Sequence, residues 1–180
     1  MMIEVRIDSV RISLMTQNRV VVLREIDSRR YLPIWIGAPE ADAITLKLQN
    51  IKVERPLTHD LLLNALTTLD ATVESVVIKE LKDDIYFAEI ILHRQGLKIG
   101  LDARPSDAIA LAVRAGVPIY VDEAVLDAVG RMPEEDITAS ILAETGQEEI
   151  SGKETDIEIE DLGAFADFIE GLNLDDLSQS

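Results

Sequence analysis

An α+β fold, a single domain with a mixed or antiparallel sheet packed with helices, is what this 180-residue sequence predicts. Three observations predict it. Ile3, Val5 and Ile7 alternate with Glu4, Arg6 and Asp8, the period of a half-buried strand. Extended apolar runs twice end in a proline-containing turn followed by a longer apolar segment that starts near an aspartate. Two short matches also recur in the same order. Ile7-Asp-Ser-Val-Arg-Ile12 matches Val73-Glu-Ser-Val-Val-Ile78 at an offset of 66, and Asp42-Ala-Ile-Thr-Leu-Lys-Leu48 matches Asp107-Ala-Ile-Ala-Leu-Ala-Val113 at an offset of 65. They predict an internal duplication, a β-β-β-α-α unit repeated with variations, whose halves share one core because each alone is too small to be secure.

Taken in order, residues 2–14 read as one long or bulged strand, with Val10, Ile12 and Leu14 continuing the run after Ser9. Residues 16–19 turn, residues 20–23 form a short buried strand, and residues 27–30 turn again. Residues 31–36 are a third strand, which Pro33 places near an edge or a strand start. Gly37-Ala38-Pro39 opens a helix over residues 40–49, and Thr58 is read as the cap of a helix over residues 59–69. Strands over 72–81, 85–93 and 97–101 are punctuated by turns at Asp83-Asp84 and Gln95-Gly96. A helix then starts at Pro105, where a missing N–H leaves no bond unmade. Ser106 and Asp107 suit its first turn, and Gly116 and Pro118 end it. Ile109, Leu111, Ala112 and Val113 make it apolar almost all round, so it is expected to be well buried. A strand over 117–121 and a short helix over 122–131 follow.

The boundaries expected are a folded body over 1–133, an acidic linker over 134–158 and a short amphipathic acidic helix over 159–180. In that last segment Leu162, Phe165, Ala166, Ile169 and Leu172 recur at helical spacing. Such a helix is too short to stand alone in water, so it docks on its own body or in the groove of a protein partner.

Aromatic residues are only 4% of the chain, so the core is aliphatic. There is no cysteine, which excludes disulfides, thiolate metal sites and cysteine nucleophiles. A charged, alternating N-terminus is not a secretory signal, and no apolar run approaches the ~20 residues of a membrane span. A cytoplasmic location and no membrane partner are expected. The net charge of −17 is uneven: residues 144–180 hold twelve acids against Lys153, leaving 22 acids and 16 bases before them. Such a body advertises no basic stripe, which counts against any nucleic-acid hypothesis.

Chemistry can be sought at three acid-bearing helix starts. They are Glu40 and Asp42 after Gly37-Ala-Pro, His59 and Asp60 after Arg55-Pro-Leu-Thr, and Asp102, Arg104, Ser106 and Asp107 around Pro105. If packed together they supply carboxylates for a hard cation such as Mg²⁺ or Mn²⁺. They also supply an imidazole for proton transfer and guanidinium groups for phosphate oxygens. The alternative is structural: acids and Ser106 as helix caps, and Arg55 and Arg104 as ion-pair partners holding the repeats together. His93, beside a hairpin turn, reads as a solvated strand end, and Trp35 as core or interface.

Leu32-Pro-Ile-Trp-Ile-Gly37 with Glu40-Ala41, Arg55-Pro-Leu-Thr-His-Asp60 and Asp102-Ala-Arg-Pro-Ser-Asp-Ala-Ile-Ala-Leu111 together resemble the bifunctional nuclease domain family, in order and spacing across residues 2–130. The acidic tail with Phe165-Ala-Asp-Phe-Ile169 resembles extensions on bacterial members. The resemblance implies an α+β fold with a duplication, DNase and RNase activity, and a tendency to form homo-oligomers. The polar positions within the motifs carry over as site residues: Glu40, His59, Asp60, Asp102, Arg104, Ser106 and Asp107. The expectation is metal-assisted hydrolysis of DNA or RNA. In it Asp60, Asp102 and Asp107 hold Mg²⁺ or Mn²⁺, and His59 moves protons. Arg104 holds phosphate, and Glu40 and Ser106 complete the catalytic group. The rival is a non-catalytic oligomeric binding or regulatory module whose polar motifs are caps and ion pairs.

Overall fold

The computed structural model of the chain describes residues 1–13 and 18–132. The end of the first expected strand at Leu14, the first half of the turn over 16–19, the acidic linker and the C-terminal helix lie outside the described residues. Within them the fold is α+β. The strands are β1 (Met2–Ile12), β2 (Arg19–Glu25), β3 (Tyr31–Ile36), β4 (Thr72–Lys82), β5 (Ile85–Arg94), β6 (Leu97–Ala103) and β7 (Ile119–Asp122). The helices are α1 (Ala38–Leu48), α2 (Thr58–Thr68), α3 (Pro105–Ala115) and α4 (Glu123–Val129).

One mixed sheet runs in the order β3-β2-β1-β7-β4-β5-β6. Every neighbouring pair is antiparallel except β4 with β7. Two three-stranded meanders, β1-β2-β3 and β4-β5-β6, therefore flank β7. The matches that suggest duplication fall on β1 with β4 and on α1 with α3, so common descent of the halves remains an inference from sequence.

Local chemistry explains the elements. Val21 and Leu23 of β2, Val76 and Ile78 of β4, and Ala88 and Ile90 of β5 share one face and are buried in the main core. β1 carries a register shift between Ile7 and Ser9, the bulge that its broken alternation predicts. Pro33 lies on β3, an edge strand, where a missing donor costs no ladder bond. Asp83, Asp84, Gln95 and Gly96 all have positive φ, the geometry of tight two-residue hairpins.

α3 is the centre of the helical layer. Ala108, Ile109, Ala110, Leu111 and Ala112 are all buried, as its composition predicts. Alanines leave little bulk between α3 and its neighbours, so α1, α2 and strands β4 and β5 all pack against it. Gly116 ends it at φ 69°, a left-handed cap that donates to Ala112 O at 2.8 Å.

Several boundaries differ from those expected. Thr58 does not cap α2: Leu57 is the N-cap, and its exposed amide is satisfied by Asp60 Oδ2 at 3.0 Å. α4 stops before Gly130. Arg131 is drawn to the β3 edge instead, where it exchanges both backbone hydrogen bonds with Tyr31 at 2.7 and 2.8 Å. Asp122 provides the α4 cap by accepting from Ala124 N at 2.9 Å. Among the described residues, no helix is long and apolar enough to cross a membrane.

Because Ile109 is fully buried on a helix touched from several sides, the lost methylenes cannot be refilled by collapse of one neighbour. Ile109→Ala is expected to cost about 2–5 kcal/mol of stability. Urea denaturation should show a lower midpoint with an unchanged slope.

Candidate active site

Pro105 forces the residue before it into extended geometry, so Arg104 (φ −69°, ψ 148°) is the N-cap of α3 rather than part of it. Its side chain is 66% exposed and reaches two acids. Nη2 donates to Glu40 Oε1 of α1 at 2.5 Å, and Nε donates to Asp107 Oδ2 one turn into α3 at 2.8 Å. Asp107 Oδ1 in turn lies 3.1 Å from His59 Nε2 of α2. A carboxylate only accepts, so Nε2 donates in this contact. Glu40, Arg104, Asp107 and His59 thus form one chain of charge-assisted contacts across three helices.

Exposure falls from Arg104 through Asp107 to His59. His59 is buried, with its side chain only 9% exposed, while Asp107 is partly covered. Burial pushes the Asp107 carboxyl up, but hydrogen bonds from Arg104 and His59 outweigh it and hold the group below the usual carboxylate range. The same Asp107 bond, then that of Glu40, holds the Arg104 guanidinium above its ordinary value. All four residues line an open cavity of about 600 Å³, together with Asp42, Leu57 and their neighbours on α1 and α2. Asp42 lies 3.6 Å from Arg19 Nε, a long ion pair.

The other residues expected at the site are placed elsewhere. Asp60 is not beside Asp107 in a shared carboxylate pair. One oxygen accepts from Leu57 N, and the other accepts from Arg114 Nε at 2.8 Å. Asp102 sits on β6 opposite Glu89 of β5. Ala88 and Ile90, which alternate with Glu89, face the helices, so Asp102 lies on the opposite side of the sheet from His59. Ser106 is buried and lines a second cavity, which Arg104 also lines. Arg55 and His93 are exposed.

The expected metal set therefore does not fit a cation held by the protein. Asp60, Asp102 and Asp107 do not face one point, because α2 spends Asp60 on its own cap and strand alternation turns Asp102 away. Among the described residues, no three His, Asp or Glu side chains form a metal-binding group.

One residue the sequence reading passed over organises the site. Arg114, only 3% exposed, donates from Nε to Asp60, from Nη1 to Ala110 O at 2.9 Å and from Nη2 to Ala43 O at 3.2 Å. It ties α1, α2 and α3 together, and so sets the distance at which His59 meets Asp107. A single cation directly after the apolar run Ala110-Leu-Ala-Val113 was its signal, since a buried charge needs partners.

A family model described as Bifunctional nuclease domain matches residues 21–134. An uncharacterized protein of Mycobacterium tuberculosis (strain H37Rv) is 37% identical over 173 residues, covering 96% of this chain and 96% of that protein. Bifunctional nuclease 1 of Oryza sativa subsp. japonica is 30% identical over 111 residues, 60% of this chain and 34% of the rice protein. Bifunctional nuclease 2 of Arabidopsis thaliana is 29% identical over 109 residues, 59% of this chain and 33% of the plant protein.

Arg114→Met should cost about 3–5 kcal/mol, because it strands Asp60 and the Ala43 carbonyl. Thermal denaturation checks this. Asp107, with its depressed value, stabilises fully above the unfolded carboxylate value of about 3.9, and that contribution is lost as pH falls through the lower folded value. The stability gap between wild type and Asp107→Asn should therefore be constant near neutrality and shrink below about pH 4.

Proposed function

The chain belongs to the bifunctional nuclease domain family, and from that premise we propose that it hydrolyses phosphodiester bonds of DNA or RNA at the Glu40–Arg104–Asp107–His59 cluster. One observation carries the reading. A single cavity holds an imidazole oriented by a carboxylate and, next to it, a guanidinium that is two-thirds exposed.

The roles follow from the contacts. Two of the five Arg104 N–H groups are engaged by Glu40 and Asp107, which leaves three for phosphate oxygens. Both acids also fix the guanidinium, so little reorganisation is needed when charge builds on the phosphate. His59, its tautomer set by Asp107, takes a proton from water as the water oxygen bonds to phosphorus. The bond to the leaving oxygen then breaks on the opposite side of phosphorus, where that oxygen takes a proton from solvent, and the imidazolium returns its proton to solvent. No step is routed through a metal, because the carboxylates here do not make a cation cage. Assembly into a homo-oligomer belongs to the same proposal: edge strand β6 exposes Leu97, Ile99 and Leu101, a surface suited to a second copy.

A second reading, a non-catalytic binding or regulatory module, is favoured by one feature. Every acid of the cluster is already in an ion pair, as a purely structural network would be. The two readings part in an assay of purified protein on single-stranded and duplex DNA and RNA. For the nuclease, His59→Ala and Asp107→Asn should each lower the rate by at least about 10²-fold. Arg104→Gln should be similarly impaired, with the fold intact by circular dichroism. Equal rates in wild type and variants, or no cleavage by wild type, would leave the structural module standing. Repeating the assay with Mg²⁺, Mn²⁺ and a chelator tests the cation separately.

A further inference from the structure

Asp102 is left without a task by the chemistry at His59, and the strand that carries it is an unprotected sheet edge. β3, the other edge, lacks a donor at Pro33 and is bridged at Tyr31 by Arg131. β6 has no proline and no bulge, and its seven residues pair in unbroken register with β5. Among the described residues, no backbone group of Leu97–Ala103 bonds outside that pairing. Its apolar row also runs past the helical layer. Ile99 and Leu101 stand opposite the buried Leu92 and Ile90, yet are 42% and 41% exposed, and Leu97 is 67% exposed.

The polar face of the strand is out of balance. Asp102 stands directly opposite Glu89, whose cation is Lys79, and has no ion-pair partner of its own among the described residues. Like charges placed opposite each other destabilise a sheet. Unpaired backbone groups, an uncovered apolar row and an acid without a cation together make a template for another strand. We propose that the occupant is β6 of a second copy of this chain, paired antiparallel about a two-fold axis through Gly100.

The strand is complementary to itself in that register. Reversed against its own copy, Leu97-Lys-Ile-Gly-Leu-Asp-Ala103 sets Lys98 opposite Asp102, Ile99 opposite Leu101 and Gly100 opposite Gly100, and the two-fold repeats each contact. The second copy's Lys98 is then the cation that Asp102 lacks. Lys98 lies 2.8 Å from Glu74, but that pair is exposed and an ammonium has three donors, so it serves a second carboxylate as well. A Cβ at Gly100 would collide with the Glu89 carboxylate, so the centre of the pairing carries no side chain. A slip of one residue would turn the apolar row of one copy onto the polar face of the other. A slip of two sets Lys98 opposite Gly100 or Arg104 and leaves Asp102 without its cation. In the Gly100 register the two apolar rows merge into one band, with the helices of both copies on the same face of the joined sheet. This pairing gives the proposed homo-oligomer its register, and it stands apart from the chemistry at His59.

Sedimentation of the full-length chain over a concentration series should show self-association. Lys98→Glu and Asp102→Lys each set like charges opposite twice, and each should weaken association at least about ten-fold. The double variant restores both pairs with the signs exchanged, and should recover association to within about three-fold of wild type. The chain has no cysteine, so engineered thiols report contacts without background. Lys98→Cys mixed with Asp102→Cys should oxidise to a linked heterodimer, because residues directly opposite have Cα atoms about 4.5–5.5 Å apart. Either variant alone should not link, since its two thiols lie about 13 Å apart along the paired strands. Melting curves check that every variant folds. A chain that stays monomeric, a double variant no better than the single ones, or links formed as readily by one variant alone would each overturn the pairing. Nucleic acid cut by a chain that stays monomeric would strike the pairing and leave the nuclease reading, while a dimer in this register that cuts nothing would do the reverse.

Discussion

A guanidinium buried to 3% exposure inside an aliphatic helix is the constraint from which the rest of this structure follows. Arg114 cannot lose its charge and cannot reach water, so each of its donors must meet an acceptor. Those acceptors come from three helices: Asp60 on α2, the Ala43 carbonyl on α1 and the Ala110 carbonyl on α3 itself. Helices packed on one sheet by alanine and leucine alone could slide, since apolar contact has no direction. The arginine removes that freedom. Asp60 serves it twice, because the same carboxylate also satisfies the amide of Leu57 at the start of α2. His59, next to Asp60 in the chain, is thereby delivered to α3 at hydrogen-bond distance from Asp107.

α3 joins two tasks that usually conflict. Its middle is the most buried helical stretch among the described residues, and its start carries Arg104 and Asp107 of the polar cluster. Pro105 separates the two. It pushes Arg104 out of helical geometry, so the guanidinium swings to solvent while Asp107, three residues later, stays against His59. The outcome is a graded site, with the imidazole inside, the acid partly covered and the cation outside. Both ends of that gradient have a use in phosphoryl chemistry. A shielded base keeps its orientation, and an exposed guanidinium meets an anion before the anion has shed its water.

The charge distribution restrains what such a site can bind. Arg104 is held by two acids, and the surrounding surface is net negative, so long-range attraction for polyanions is weak. A protein so built depends on shape and on short contacts. The twelve acids of residues 144–180 add to that negative charge.

Much of the architecture was legible in the sequence because it is written locally. Alternation located β1, short apolar runs between turns located β2 and β3, turn residues located the two hairpins of β4, β5 and β6, and Pro105 and Gly116 bracketed α3. His59, Asp107, Glu40 and Arg104 were identifiable as a set because each sits at the start of a helix within a motif. Local rules could not assign partners. Asp60 and Asp102 looked equivalent to Asp107, yet pairing of β6 with β5 turns Asp102 to the far face and Arg114, fifty-four residues away, claims Asp60. Arg114 itself looked like an ordinary cation in the last turn of a helix. By itself the sequence determined which segments are strands and helices, since backbone preference and apolar period are properties of neighbours. Only the tertiary structure decided which charges meet, because an ion pair joins residues far apart in the chain whose distance no local pattern records.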